Sequence, residues 1–276
     1  MTAGVSRDGK QATEAGVRPQ RGAWPLRRIS GSGSAARSTW AEVPDPDGQP
    51  AAWCYVDQRS YAPGEVVRLY VSATLPAVDI RIYKDGAVPV TVMQWSNIEV
   101  RFQPVAEDVY ASGCNWSETV VFAVPPGMDA GAYVVELRES GAKPGLLPLG
   151  HHIFFVRAAA PDPDAIVLVA ATCTWTAYND WGGASHYRGN HPHYPQGASP
   201  TLSKLPPWAR GQVWLPQGAP RAVPLHRPTE PTPPSYDFMD WAFANGYSRY
   251  YAAAGWASFE LPFLRWAERT GYRVHV

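Results

Sequence analysis

The sequence predicts two domains: an all-β, immunoglobulin-like sandwich, and behind it the start of an α/β domain with a parallel sheet. In the front half, short segments rich in Val, Ile, Tyr and Phe recur at near-regular spacing between Gly and Pro turn signals, which is typical of a sandwich. The back half opens on an unbroken apolar run at 165–171, as expected of a parallel strand buried on both faces. We place the two domains at 46–160 and 161–276.

The front domain is predicted from strands and turns that alternate along the chain. The segment 78–82 has the clearest strand pattern, because apolar and charged side chains alternate along it. The Pro-Pro-Gly step at 125–127 supplies one of the turns, and the Pro-Asp repeat at 161–164 predicts a stiff linker into the second domain. The predicted strands are 53–56, 66–71, 78–82, 118–123, 131–138 and 152–156.

Residues 1–45 are predicted to form a disordered basic arm. Gly, Ser, Ala and Arg dominate this stretch, and no hydrophobic periodicity runs through it. Such an arm is either a solvated tail or a tether to a partner subunit.

The composition narrows the class of protein. The chain carries 24 basic and 24 acidic residues, which argues against nucleic acid or an anionic membrane as its main partner. No apolar run reaches the roughly 18 residues of a membrane span, and the N-terminus lacks the apolar core of a secretion signal. The three cysteines suit a reducing compartment better than a disulfide framework, so we expect a cytoplasmic protein.

The back domain is predicted to contain a long Pro-rich excursion and two helices. The excursion spans 190–235, and irregular segments of that length are often functional. A short helix is expected at 237–246, and Ser258 is predicted to cap a second one that ends before Gly271. The chain then begins a strand at Tyr272, parallel to the first. The inward-facing stripe of the second helix is predicted to be Phe259, Phe263, Trp266 and Ala267.

The segment 174–187 holds the densest set of functional side chains, including Tyr, Trp, Asn, Asp, Ser and His. It directly follows the predicted buried strand, and ligands of open α/β sheets bind beyond the carboxyl ends of such strands. Gly182 and Gly183 would let the backbone take positive φ or approach a ligand closely. The segment therefore predicts a ligand-binding or catalytic site.

Four stretches of the sequence resemble segments of one protein family, and they follow one another in the same order. The letters AYNDWGGASHY at 177–187 resemble the "AYN-x-WGG-x-S-x-Y" segment of the large (β) subunit of N,N-dimethylformamidase. Arg227-Pro228, the ELPFLRW letters at 260–266 and Gly271-Tyr272 resemble three further steps of that family. The resemblance covers 165–276 and implies a hydrolase of small formamides with a mononuclear iron, on a glutamine-amidotransferase-like parallel sheet.

The resemblance also implies roles for particular residues. The family's iron ligands resemble two tyrosine phenolates and one carboxylate, and a phenolate is a hard donor that suits Fe(III). Tyr178 matches the first phenolate, but Phe259 stands where the family often has the second tyrosine. We expect Tyr251 to substitute, with Tyr250 as the alternative, unless the metal is lost. Catalytic roles are expected for Asn179 and Glu260, and the substrate pocket is expected to be Trp175, Trp181, Gly182, Gly183 and Tyr187.

Two of these expectations have alternatives. Glu260 either supports the site or is simply a first-turn acid favoured by the helix dipole. His186, His191 and His193 could bind a metal, but Pro192 interrupts any regular strand, which favours a surface loop.

The expected partners are a small amide substrate, possible further copies of the chain, and a missing piece of protein. The family's carboxylate lies in a "GH-x-EY" segment that these 276 residues lack, and two parallel strands do not make a stable sheet. We therefore expect a second chain or a downstream segment to complete the domain. The alternative is a non-catalytic accessory chain whose sandwich grips a sugar or another subunit through exposed aromatic side chains.

Overall fold

The computed structural model describes residues 41–220 and 237–276. Nearly all of the predicted basic arm and residues 221–236, which include the end of the predicted excursion and Arg227-Pro228, lie outside the described residues. No helix within the described ranges is long and apolar enough to cross a membrane.

The described chain is mainly β-sheet with few helices, so the prediction of a β-rich fold is confirmed. The six strands predicted for the front domain are all present, each with bounds within two residues of those expected. The strands are β1 (Ala52–Val56), β2 (Ser60–Tyr61), β3 (Val66–Ala73), β4 (Ala77–Lys84), β5 (Val90–Glu99), β6 (Glu118–Ala123), β7 (Gly131–Glu139), β8 (Gly150–Val156), β9 (Ile166–Val167) and β10 (Val274–His275). The helices are α1 (Val109–Ser112), α2 (Thr172–Tyr178), α3 (Asp237–Asn245) and α4 (Glu260–Arg269), with a 3-10 turn at Pro195–Gly197.

Two sheets enclose the first core. One has three strands in the order β1-β3-β6, and the other has five in the order β2-β8-β7-β4-β5. Alternate residues of β3 and β4 point between the sheets, and Leu69, Ile80 and Ile82 are fully buried there. The period-2 pattern in the sequence therefore fixes which face of each strand forms the core.

The strand β5 was not predicted from the sequence. It pairs with β4 at the edge of the five-stranded sheet, and the register shifts twice along the pair. Val90 and Val92 are exposed, and Asn97 takes a positive φ of 55°. An irregular edge strand with exposed apolar residues lacks the clean alternation on which strand prediction depends.

A second core lies on the outer face of the five-stranded sheet. Ala132 and Val134 of β7 pack there against Trp175 of α2 and Leu264 of α4. Because β7 is covered on both faces, seven consecutive residues from its start are buried. The back part of the chain is thus held directly on the sheet.

The strand predicted at 165–171 is much shorter than expected. Only Ile166 and Val167 pair, in parallel with Val274 and His275 of β10. Val167 and Val169 are 71% and 81% exposed, so the prediction of a strand buried on both faces is wrong. Its physical reason is that, among the described residues, the apolar run has a strand neighbour on one side only.

The predicted inward stripe of α4 is confirmed for Ala267 and wrong for Phe259, Phe263 and Trp266. Phe263 and Trp266 are 37% and 55% exposed, whereas Leu261, Leu264 and Ala267 face the second core. The helix has apolar residues around most of its circumference, so periodicity alone does not select the buried face. Ser258 does not cap the helix, and its hydroxyl donates instead to the carbonyl of Tyr251, 2.6 Å away.

Candidate functional site

Helix α2 carries the first half of the candidate site and is fixed from two sides. The side chain of Arg59 donates to the carbonyl of Thr172 at 3.0 Å and to the hydroxyl of Thr176 at 2.7 Å. On the opposite side, the ring of Trp175 is 1% exposed and packs in the second core. Tyr178 is the last residue of the helix and is half-buried.

Glu260 anchors the beginning of α2. One oxygen of its carboxylate accepts hydrogen bonds from the indole of Trp175 at 2.9 Å and from the amide of Ala171 at 3.1 Å. Its other oxygen accepts none from the described residues, and the residue is 8% exposed. Glu260 is therefore more than a solvent-facing acid at a helix end, but its contacts lie at the end of α2 away from Tyr178.

Three tyrosines from different parts of the chain meet beyond the end of α2. The rings of Tyr178 and Tyr187 stack with centroids 4.3 Å apart. The ring of Tyr250 lies 5.4 Å from that of Tyr178 and 6.3 Å from that of Tyr187. We call these three residues the tyrosine cluster. Tyr187 is 47% exposed and the other two are half-buried, so small molecules can reach the cluster from solvent.

The hydroxyl groups of the cluster are electrostatically linked. The hydrogen bond with the side chain of Tyr187 raises the pKa of Tyr178. Burial raises the pKa of Tyr250, and the nearby carboxylate of Asp180 adds to that effect. A hydrogen bond with the side chain of Ser185 acts in the opposite direction on Tyr250. The phenols of Tyr178 and Tyr250 are thus held protonated in the absence of a cation.

Ser185 also shapes the turn that brings Tyr187 back over Tyr178. Its hydroxyl accepts hydrogen bonds from the amides of Tyr187 at 3.2 Å and Arg188 at 3.3 Å, and its own amide donates to the carbonyl of Arg188 at 2.8 Å. The residue is fully buried. The hydroxyl of Ser185 therefore closes the turn, which explains why a serine stands two positions before Tyr187.

The two glycines of the segment serve the packing of the backbone. Gly182 and Gly183 have φ of 85° and 114°. A Cβ at Gly182 would lie 2.6 Å from a methyl of Val109, and one at Gly183 would lie 2.8 Å from the amide of Asn190. Both glycines were expected to line a substrate pocket, but their close contacts are with other parts of the protein.

The other expected site residues are buried in the protein interior. Asn179 is 3% exposed, and its amide group donates to the carbonyl of Pro207 at 3.0 Å and accepts from the amide of Ala209 at 2.9 Å. Trp175 and Trp181 are each 1% exposed. Of the residues expected in the pocket, only Tyr187 is brought to the cluster with an exposed ring.

The structure brings Tyr250, and not Tyr251, next to Tyr178. Tyr251 is fully buried in a separate aromatic cluster, where its ring lies 5.5 Å from that of Trp241. Its hydroxyl donates to the carbonyl of Pro220 at 2.6 Å. Neighbouring residues in this irregular segment point in different directions, so the expectation that Tyr251 shares a site with Tyr178 is corrected in favour of Tyr250.

Asp180 is the residue that sequence reasoning missed. It is 3% exposed. Burial raises its pKa to about 7, and the negative charge of Glu42 adds to the rise. A hydrogen bond with the side chain of Ser248 and the positive charge of Arg249 lower the pKa in part. The only signal in the sequence was an acid placed between Asn179 and Trp181.

The donor atoms of this region fit a hard metal ion. The described residues contain no group of three or more His, Cys, Asp or Glu side chains, and His186 instead contacts the carbonyl of Ser199 at 2.7 Å. The described side chains beside Tyr178 that could hold a metal with it are therefore the phenols of Tyr187 and Tyr250. Anionic oxygen donors of this kind match Fe(III) in hardness.

Comparisons with known proteins match the part of the chain that contains the tyrosine cluster. The family model described as N,N-dimethylformamidase beta subunit-like, C-terminal, matches residues 80–276. No curated protein matches the chain. Among solved structures, the sporulation control protein Spo0M from Bacillus subtilis matches with 14% identity and a TM-score of 0.25, over 40% of this chain and 49% of that one. The chain therefore spans about half the length of that protein.

The family match begins within β4 and includes the strands β5 to β10 and the whole of the tyrosine cluster. Since it covers well over half of the chain, this protein belongs to the N,N-dimethylformamidase beta subunit-like family.

Proposed function

We propose that this protein hydrolyses small linear amides, such as N,N-dimethylformamide to dimethylamine and formate, with iron held by Tyr178 and Tyr250. The observation that carries the proposal is the pair of half-buried phenols, 5.4 Å apart between ring centroids, within the segment that matches the family. A non-catalytic accessory role is not favoured, because the family relationship covers this segment together with the strands from β5 onward.

The chemistry of the phenols supports this choice of metal. A tyrosine with a pKa near 10 must lose its proton to coordinate, and the charge of a bound cation supplies the driving force. Tyr178 and Tyr250 provide two such oxygens. When bound, iron would supply a Lewis acid that polarises an amide carbonyl and lowers the pKa of a water molecule.

The protein's side chains would position the phenols and the substrate. Helix α2, held by Arg59 and Glu260, fixes the position of Tyr178. The hydroxyl of Ser185 orients the phenol of Tyr250. The exposed ring of Tyr187 covers Tyr178 and offers an apolar surface for the methyl groups of a small amide. The carboxylate that the family resemblance implies is proposed to come from a second chain or a downstream segment.

The architecture proposed for this function has two parts. The three-stranded and five-stranded sheets are proposed to be an immunoglobulin-like sandwich, supported by their mostly antiparallel pairing around one core. The parallel pair β9 and β10, joined through α4, is proposed to begin an α/β sheet.

The test is turnover by the iron-loaded protein with any partner chain present. Dimethylamine and formate release from N,N-dimethylformamide is measured for the wild type and for Tyr178→Phe, Tyr250→Phe and Tyr194→Phe. We expect the first two variants to fall to the buffer background. Tyr194 is the control, because it is a tyrosine of a nearby loop that is 48% exposed and lies outside the cluster. Wild-type turnover in Tyr178→Phe, or no turnover by an iron-loaded wild type, would contradict the proposal.

A further inference from the structure

A polar cavity opens where strand β1, the beginning of β8 and the loop 207–214 meet. Its volume is about 450 Å³ including the open mouth, which is within the range of small-molecule sites. None of the three residues of the tyrosine cluster lines it. Its polar lining residues include Glu42, His151 and Arg210, and its indole walls are Trp53, Trp208 and Trp214.

The two charged side chains of the cavity wall neutralise each other. Nη2 of Arg210 lies 3.4 Å from Oε1 of Glu42 and also donates to the carbonyl of Leu149 at 3.1 Å. Each side chain of the ion pair keeps 12% of its surface exposed, so solvent reaches both. A charged ligand would bring a charge that this balanced wall does not compensate, so the cavity favours an uncharged one.

The carboxylate of Glu42 has capacity for one more hydrogen-bond donor. Its Oε1 accepts from the indole of Trp53 at 2.6 Å, and its contacts with the amide and the guanidinium of Arg210 are 3.3 Å and 3.4 Å long. A carboxylate has about four lone-pair sites for hydrogen bonds. An N–H group of a ligand can therefore be added without displacing Trp53 or Arg210.

His151 supplies a second acceptor. Its Nε2 is buried and lies 3.8 Å from Oε2 of Glu136. Burial acts to raise the pKa of Glu136, but the attraction of His151 and Arg138 outweighs it and lowers the pKa to about 2, so this carboxylate is ionised. An ionised carboxylate facing Nε2 keeps the proton of the neutral ring on that nitrogen, which leaves Nδ1 as an acceptor. Burial lowers the pKa of His151, so the ring is uncharged near neutral pH.

The ring of His151 is also part of a flat wall. It stacks on Trp214 with centroids 4.8 Å apart and planes 14° from parallel. Its side chain is 10% exposed, and because Nε2 is buried, this exposure belongs to the other atoms of the ring. Flat aromatic walls that carry two acceptors suit a planar molecule with N–H donors.

We propose that this cavity binds a small, uncharged, planar molecule with a urea group, whose N–H groups donate to Glu42 and His151. The inference goes beyond the proposed function, because the cavity is separate from the tyrosine cluster and needs no metal. N,N-dimethylformamide has no N–H group, so it is not a ligand that these two acceptors select. Arg210 contributes by balancing the charge of Glu42, which excludes cationic donors such as ammonium groups.

The experiment measures binding of ethyleneurea, a planar cyclic urea with two N–H groups, to the iron-free full chain by isothermal titration calorimetry. The matched probe is N,N′-dimethylethyleneurea, which keeps the ring and the carbonyl but has no N–H group. Glycerol tests whether any small molecule with several donors is accepted. The variant His151→Phe keeps a ring beside Trp214 and removes the acceptor. Its control is His193→Phe, because His193 is exposed and lies outside the cavity.

We expect ethyleneurea to bind at least about tenfold more tightly than its dimethyl derivative, because two hydrogen bonds are lost with the N–H groups. In His151→Phe, whose fold is checked by melting, the affinity for ethyleneurea should fall by about 3- to 10-fold, the effect of one hydrogen bond. His193→Phe and Tyr178→Phe should bind ethyleneurea like the wild type.

No binding of ethyleneurea to the wild type, or equal binding of the two ureas, would overturn the inference whether or not His151→Phe folds. Glycerol binding as tight as that of ethyleneurea would show that the cavity does not select a urea. Loss of binding in Tyr178→Phe would place the probe at the tyrosine cluster and would also overturn the inference. None of these results depends on amide turnover, so this inference and the proposed function fail separately.

Discussion

Removal of the Glu260 carboxylate tests whether this residue holds helix α2 in place. In Glu260→Ala the indole of Trp175 loses its acceptor at 2.9 Å and stays buried, because that ring is 1% exposed. The amide of Ala171 also loses its acceptor, but this residue is exposed and water can replace the carboxylate.

The size of the effect follows from these two donors. A buried donor left unsatisfied costs about 1–3 kcal/mol, and loss of an acid from the first turn of a helix costs about 0.3–1 kcal/mol. We therefore expect Glu260→Ala to lower the free energy of unfolding by about 1–4 kcal/mol. Glu260→Gln keeps an oxygen acceptor and should cost about 1 kcal/mol.

Urea unfolding gives the stability, and hydrogen exchange of residues 172–178 reports on α2 itself. We expect faster exchange of these amides in Glu260→Ala. The control is Glu268→Ala on the same helix, which removes an acceptor for the amide of Ala87, 2.6 Å away, and should leave the exchange of α2 unchanged. Wild-type stability and exchange in Glu260→Ala would refute the anchoring argument. If turnover were lost in that stable variant, Glu260 would have the catalytic role that the sequence suggested.

Two further predictions concern the fold. Burial lowers the pKa of His152 to about 3, so the unfolded chain binds a proton between about pH 6.5 and pH 3 that the folded protein does not. The free energy of unfolding should be highest above pH 6.5 and should fall by about 1.4 kcal/mol per pH unit between pH 6.5 and pH 3. Urea unfolding of His152→Gln should show a weaker dependence of this free energy on pH. An equal pH dependence in the wild type and the variant would contradict the prediction. Gly182→Ala should lower the melting temperature more than Gly141→Ala, because both have positive φ but only the first would press a Cβ against Val109. Equal losses would mean that close packing at Gly182 is unimportant.

The sheets were predictable because their signal is local. Strands such as β4 alternate apolar and charged residues, and one face must be buried, so the pattern gives both the element and its orientation. The edge strand β5 was not predicted because its apolar residues are exposed and its register is irregular. The apolar run at 165–171 was misjudged because burial of a parallel strand depends on neighbours that its own sequence does not specify.

The candidate site was only partly predictable for a similar reason. Tyr178 could be found through its motif, but Tyr250 and Tyr251 are adjacent, and which of them faces Tyr178 depends on an irregular turn. The burial of Asp180 and its hydrogen bond with Ser248 depend on packing by residues more than 60 positions away. No local pattern carries that information.

The visible spectrum of the protein loaded with ferric iron shows whether Tyr178 and Tyr250 hold the metal. We expect a phenolate-to-iron band in the wild type and in Tyr251→Phe, whose hydroxyl is buried against Pro220. The band should weaken and shift in Tyr178→Phe and in Tyr250→Phe, because each loses one of the two coordinating oxygens. A band that persists in Tyr250→Phe and disappears in Tyr251→Phe, or no band in the folded wild type, would refute iron binding by this pair of phenols.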